Sequence, residues 1–434
     1  MLVLAAHSTE RLKYILHFIL TDCLGVSFKI TDNPEYFRRS QTQKINYNHY
    51  IIEGCFNIPS NNLLFQDTIV EQKIEIHSHQ HWHKYFYKLP YKEVPDFKIQ
   101  TAYIPFDLLS ASFFLLSRYE EYLNESHDEH NRFKPENSLA FKEGFLNLPL
   151  IDYWVQHFAK LLKIQYPEIE IKERTFKQIN TIDIDFAYKY KGLGLNQSAR
   201  KFIGSMLKGN PDWNCINKPL QDPYDTYDFM LEIAHAKNIE TMFFLLLANY
   251  GGFDKNIPPE SIEMRQLVTK LSQHNKCGIH PSYKAGIVKK YHLREREVFE
   301  KLFGYTADNS RHHFLKTRIP ECYRELEKLG VKNDFTFAYS SQTGWRASTS
   351  QPFLFFDLPH DTTRNIRIHS PCVMDVTLRN SLKLNPPEAI LKIKELKENA
   401  MKANGQFISI WHNSNFDETQ GWANWEQVYQ SLFE

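Results

Sequence analysis

Residues 181–188 read Thr-Ile-Asp-Ile-Asp-Phe-Ala-Tyr, and their reading decides the fold. Polar and apolar residues alternate with the two-residue period of a strand, so Ile179–Asp185 is predicted as β-structure. Alternate strand residues share a face, which can place the carboxylates of Asp183 and Asp185 on one side of the strand's end. Two carboxylates so close do not stay ionised without a cation, and a divalent metal is the natural partner. The plainer alternative is that one Asp caps the following turn while the other is solvated.

Downstream the pattern stays regular. Strands are predicted at Thr241–Leu247, Cys277–Pro281, Asp308–Leu315, Phe335–Tyr339 and Phe407–Trp411. Helices are predicted within Asp225–Lys237, from Pro258 through Gln273, and at Leu293–Phe303, Pro320–Leu329 and Pro386–Asn404. The last is expected to close with Gly405 at C′. Strands alternating with helices of this length imply parallel pairing through crossovers, and five to seven such units suggest a barrel, complete or incomplete. Ionisable residues gather at the C-terminal ends of the strands, the rim where (β/α) barrels carry their chemistry. The rim reads TIDID (181–185), GIHPSY (278–283), SRHHFL (310–315), AYSSQTGWRA (338–347) and SIWHN (409–413).

Each rim residue has a chemical and a plain reading. His280 offers an imidazole to zinc or a similar ion, or is a satisfied core histidine. Arg311 and His313 share a strand face, so a metal-facing His313 puts Arg311 where it can pair with a carboxylate. His312 then points elsewhere. His412 ends the last strand and can protonate a leaving amine, or is held structurally beside Trp411. Tyr339 and Trp345 suit the apolar faces of sugars, although such rings are more often core. His77, His79, His81 and His83 alternate in HSHQHWH, which reads as a solvated strand or loop rather than a metal site.

Residues 1–175 give mixed signals and are expected to form a smaller mixed α/β domain. Helices are predicted at Glu10–Leu20, Pro105–Leu123 with Asp107 as N-cap, and Ile151–Leu162. The 434 residues are too many for one ordinary domain. A formal net charge of +1 removes the usual reason to expect nucleic acid as the main partner. Six cysteines without a CxxC pair fit reduced thiols in the cytoplasm. No apolar stretch is long enough to be read as a transmembrane helix.

Over residues 176–434 the rim motifs resemble those of the polysaccharide deacetylase superfamily (NodB homology, carbohydrate esterase family 4). The resemblance implies a distorted (β/α)7 barrel. That family's first motif is a Thr-Phe-Asp-Asp run; TIDID is a spaced version of it, implying Asp183 as base and Asp185 as metal ligand. Its second motif is His-Ser/Thr-x-x-His. His280 matches the first histidine, but Lys284 stands where the second belongs, and His313 is the expected substitute. Arg311 matches the arginine that orients the base. Ile410-Trp411-His412 is similar to the closing Leu-x-His, implying His412 as general acid. Tyr283, Tyr339, Trp345 and Arg346 are the expected substrate contacts.

The chain as a whole also resembles a bacterial subgroup of that family with a separate N-terminal domain, through PFDLLSASFFLLSRYEEY (105–122). The expected function is metal-dependent deacetylation of an N-acetylated sugar or glycan precursor. Zinc is the expected ion, with cobalt, nickel or manganese as alternatives. The rival from another class is a non-catalytic glycan-binding or polysaccharide-assembly protein on a degenerate deacetylase barrel. An esterase or other amidohydrolase with a non-sugar substrate is a third reading.

Overall fold

The computed structural model describes residues 1–434 except 90–102, 125, 208, 210, 218–220 and 287. A parallel sheet comes first, with β1 (Leu2–Leu4), β2 (Lys29–Thr31), β3 (Lys44–Tyr47) and β4 (Phe56–Ile58) in the order β2-β1-β3-β4. Helix α1 (Glu10–Leu16) starts at Thr9, whose hydroxyl accepts from the Leu12 amide. Asn33 caps α2 (Pro34–Arg39) in the same manner. A hairpin of β5 (His77–His79) and β6 (His83–Tyr85) follows. HSHQHWH therefore folds back on itself instead of presenting four imidazoles on one strand, and His83 takes the left-handed φ of 54° that the turn requires.

Asp107 caps α3 (Leu108–Leu116) by accepting from the Ser110 amide. The expected helix ran on to Leu123. It stops because Arg118 adopts φ 55° and buries its guanidinium against Glu121 (2.7 Å), Glu120 (2.8 Å) and the Tyr339 hydroxyl (2.9 Å). Helices α4 (Leu139–Lys142) and α5 (Leu150–Gln165) complete this part.

The second sheet holds β7 (Lys177–Ile184), β8 (Glu240–Leu245), β9 (Lys276–Ile279), β10 (Asn309–Ser310), β11 (Asn333–Asp334), β12 (Phe353–Asp357), β13 (Thr362–Ile368), β14 (Val373–Met374) and β15 (Gln406–His412). Its order is β12-β13-β11-β10-β9-β8-β7-β15-β14, and only the β12–β13 pair is antiparallel. Between and around the strands lie α6 (Leu195–Leu207), α7 (Asn214–Asn217), α8 (Tyr227–Ala236), α9 (Ile262–Ser272), α10 (Lys289–Phe303), α11 (Glu321–Lys328), α12 (Pro386–Lys402) and α13 (Trp425–Ser431).

This sheet is strongly curled. On a flat sheet β7 and β10, three strand spacings apart, would lie about 14 Å from each other. Arg311, just past β10, nevertheless places Nη1 2.7 Å from Asp183 on β7. Ile179, Met242, Phe244, Phe335 and Ile408 pack together on the concave side. The expected distorted (β/α)7 barrel is not confirmed, because no sheet closes among the described residues. β13 pairs with β11 and β14 with β15, and residues 369–372 cross the gap between them. His369 N donates to Asp334 O and Cys372 N to Ile408 O at either side of that crossing. Pro371 lies in it and has no N–H to extend a ladder.

Two further expectations shift. The strand predicted at Phe335–Tyr339 ends at Asp334, whose carboxylate accepts from the amide and hydroxyl of Thr336 and turns the chain away. At the end of α12 the left-handed residue is Asn404, with φ 48°. Gly405 serves close approach instead, since a Cβ there would sit 1.7 Å from the Ser350 hydroxyl. One buried cluster joins the two parts of the chain: Leu12, Phe18, Phe113 and Trp154 share it with Tyr323, Phe337, Phe353 and Phe356.

Candidate active site

β7 is buried along nearly its whole length and delivers both aspartates to the concave rim. Asp183 is 2% exposed and accepts from Arg311. Burial pulls the Arg311 guanidinium below its usual pKa, while Asp183 opposes the shift. Arg311 also donates through Nε to the Phe335 carbonyl, at 3.1 Å, and lies over the Phe244 ring, 4.5 Å from its centroid. This clamp fixes the Asp183 carboxylate in orientation.

Asp185, His280 and His313 offer ligand atoms that all lie within 4.8 Å of one another, so the cluster can hold a metal. His280 Nε2 is 3.1 Å from Asp185 Oδ1, and His313 Nε2 is 3.3 Å from Asp185 Oδ2. Each imidazole is fixed by what its other nitrogen does. His280 Nδ1 meets the Arg311 carbonyl, which can only accept. His313 Nδ1 meets Asp254 Oδ1 at 2.9 Å, and Asp254 in turn accepts from the Tyr283 amide. Both rings thereby turn Nε2 inward, as histidine ligands do when an outer acceptor holds the far nitrogen. Two imidazoles and a carboxylate are a donor set suited to a divalent ion.

Burial opposes protonation of His313, but Asp185 and Asp254 outweigh it and lift its pKa to about 9. Asp185 is opposed by burial as well, yet the histidines hold its carboxyl well below the ordinary range. The alternation read from sequence holds across Arg311-His312-His313. His312 points outward to His292, with the two Nε2 atoms 2.9 Å apart, and to the Cys322 thiol.

His412 lies across the cluster, with Nε2 3.6 Å from Asp185 Oδ2. Its Nδ1 and its backbone amide both donate to Asp375, at 2.9 and 2.8 Å, and Asn415 donates to the same carboxylate. Burial would lower its pKa, but Asp375 and then Asp185 raise it to about 10.

The expected substrate contacts divide. Tyr283 is half-buried and stacks on Phe253, with centroids 4.1 Å apart, beside Phe314. Tyr339 and Arg346 border a cavity of about 290 Å³, but their polar ends are occupied. The Tyr339 hydroxyl takes a hydrogen bond from Arg118, and Arg346 grips Glu121 through Nε (2.9 Å) and Nη2 (2.5 Å). Trp345 is 0% exposed and sits in the core, so it presents no surface to a ligand.

Sequence reasoning missed Asp254 and Asp375. Asp375 directly follows a short strand, β14, so the rim rule would have found it had that strand been recognised. Asp254 lies in a loop that carries no such signal. It also missed His130 and Arg132, which reach the rim from the first part of the chain. His130 Nδ1 is 3.2 Å from the Tyr283 hydroxyl, and Arg132 donates to the Phe314 carbonyl at 2.6 Å.

A family model described as a family of unknown function (DUF7033) matches residues 1–167. No curated protein matches the chain. Among solved structures the chain is similar to a provisionally assigned polysaccharide deacetylase from Mycobacterium smegmatis, at 12% identity and TM-score 0.39 over 60% of this chain and 83% of that one. It is also similar to the polysaccharide deacetylase Bc1974 from Bacillus cereus, at 9% identity and TM-score 0.27 over 60% of this chain and 86% of that one. Likenesses this remote carry no argument about function. No helix among the described residues is long and apolar enough to cross a membrane.

Proposed function

We propose that the chain is a metal-dependent hydrolase that removes acetyl groups from an N-acetylated sugar or glycan precursor. The observation that carries this reading is the convergence of the Asp185, His280 and His313 cluster with an arginine-clamped Asp183 and an aspartate-clamped His412. Asp185, His280 and His313 would hold the ion. Their nitrogen and oxygen donors suit zinc first, with cobalt, nickel and manganese as alternatives. Bound there, a divalent ion supplies Lewis-acid polarisation of an acyl carbonyl and a more acidic water.

The protein's own residues supply the proton transfers. Asp183, held in place by Arg311, takes a proton from the attacking water. His412, kept protonated by Asp375, gives one to the departing nitrogen. Tyr283 on its aromatic shelf is placed to meet the apolar face of a sugar ring. Residues 1–175 would act as a second unit beside residues 176–434, steadying the substrate through His130 and Arg132. The geometry supports acyl hydrolysis; the choice of an acetylated sugar rests on the rim motifs. The six cysteines are buried and unpaired, which suits a reducing cytoplasm.

The test is acetate release from a panel of N-acetylated sugars by metal-loaded protein. Asp183→Asn and His412→Ala should each lower release by about a hundredfold or more while leaving metal content unchanged. Full release by either variant would overturn the assignment. Release from acetyl esters but not from amides would move it to the esterase reading.

A further inference from the structure

A second charged cavity lies at the opposite end of the strands. It occupies about 470 Å³ among α5, the segment that follows it and the end of α12. Arg174 and Lys402 precede β7 and β15, so the cavity flanks the N-terminal ends of those strands. The Asp185 cluster is at their C-terminal ends. The eight residues of β7 separate the two by about 25 Å.

Lys160, Lys163, Lys172, Arg174 and Lys402 line the cavity, opposed there by Glu173 alone. Beneath it Asp152 lies 4.0 Å from Arg174 Nη1, beyond hydrogen-bond reach. The Asp152 oxygens are already taken by the Thr349 hydroxyl and by the amide and hydroxyl of Ser350. The Arg174 side chain is 10% exposed, and its buried Nη1 has no hydrogen-bond partner. Arg174 also lines the cavity, so its charge is presented there.

The charge selects the ligand class. Five cations against Glu173 and Asp152 leave three positive charges. The C-termini of α5 and α12 end here and together offset about one of these. About two remain, which matches a phosphate monoester, close to a dianion at neutral pH.

We propose that this cavity binds a phosphate monoester group, with the Arg174 guanidinium and the four lysines supplying the charge. The group has two sources. One is a soluble phosphorylated metabolite. The other is a lipid headgroup, for which Ile164 (74% exposed) and Met401 (50% exposed), next to Lys163 and Lys402, provide apolar neighbours.

The experiment is a calorimetric titration of the full chain with inorganic phosphate at low ionic strength. It is run in an Asp185→Ala background so that phosphate held by an ion at the rim does not contribute. Saturable binding of one equivalent is expected, weakened about tenfold or more by Lys160→Ala/Lys163→Ala and by Arg174→Gln. The two lysines are exposed, so their variant keeps the test valid if Arg174→Gln fails to fold. No saturable binding, or equal binding by the lysine variant, overturns the proposal. Co-sedimentation with phosphatidylcholine vesicles, with and without phosphatidic acid, then assigns the source. Capture that needs phosphatidic acid and both lysines identifies a headgroup; phosphate binding without vesicle capture identifies a soluble ligand.

Discussion

Asp375 holds His412 twice, through Nδ1 and through the backbone amide, and so sets both the direction and the charge of the imidazole. Asp375→Asn removes the charge while keeping most of the shape. Acetate release should fall about 10- to 100-fold with bound metal unchanged, as measured by kinetics alongside elemental analysis. Loss of metal instead would show that Asp375 supports the ligand cluster. His292 offers a pH test. Burial lowers its pKa to about 4, whereas the unfolded chain takes up a proton near 6.5. Its contribution to stability is therefore present above pH 6.5 and lost as pH falls toward 4, about 2 kcal/mol by pH 5. Urea midpoints at pH 7 and pH 5 should differ less in His292→Gln than in the parent. At this scale the rim was legible in sequence. Asp183, Asp185, His280, Arg311, His313 and His412 all converge, because each lies at or shortly past the C-terminal end of a strand. Tyr339, Trp345 and Arg346 share that wording but are bound into the core, which a linear pattern cannot register.

The elements were read well where the period was long and poorly where a side chain overrode the backbone. β7, β15, α10 and α12 lie close to their predicted places because seven to seventeen residues repeat one period. α3 stops early and β11 ends early because Arg118 and Asp334 satisfy themselves with non-local or turn contacts. The β12–β13 hairpin was missed. The network of Arg118, Glu121 and Arg346 links the turn after α3 to the rim loop, with all three side chains at most 4% exposed. Arg346→Met leaves Glu121 a buried carboxylate with half its partners, and should destabilise the fold by about 3–5 kcal/mol in urea titrations. The double variant Arg346→Met/Glu121→Gln should recover part of that loss. If the single variant is neutral, the network is not what joins the elements.

For the whole molecule, the shared cluster that includes Leu12 and Phe356 means that residues 176–434, although they bury a core of their own, depend on residues 1–175 to cover part of their apolar surface. A chain beginning at residue 176 would expose Phe337, Phe353 and Phe356 to water. It should be recovered mainly in aggregates, and co-expression with residues 1–175 should return it to solution. Monomeric, cooperatively unfolding 176–434 would contradict this. The division at 175 followed a change of pattern in the sequence, which carries no trace of packing across it. The central claim is that the rim holds a divalent ion, and the direct measurement is elemental analysis of protein purified without chelator or a histidine tag. About one equivalent per chain is expected, reduced about tenfold or more in each of Asp185→Ala, His280→Ala and His313→Ala. No metal after incubation with zinc, cobalt, nickel or manganese, or a full equivalent retained by His313→Ala, would contradict the account.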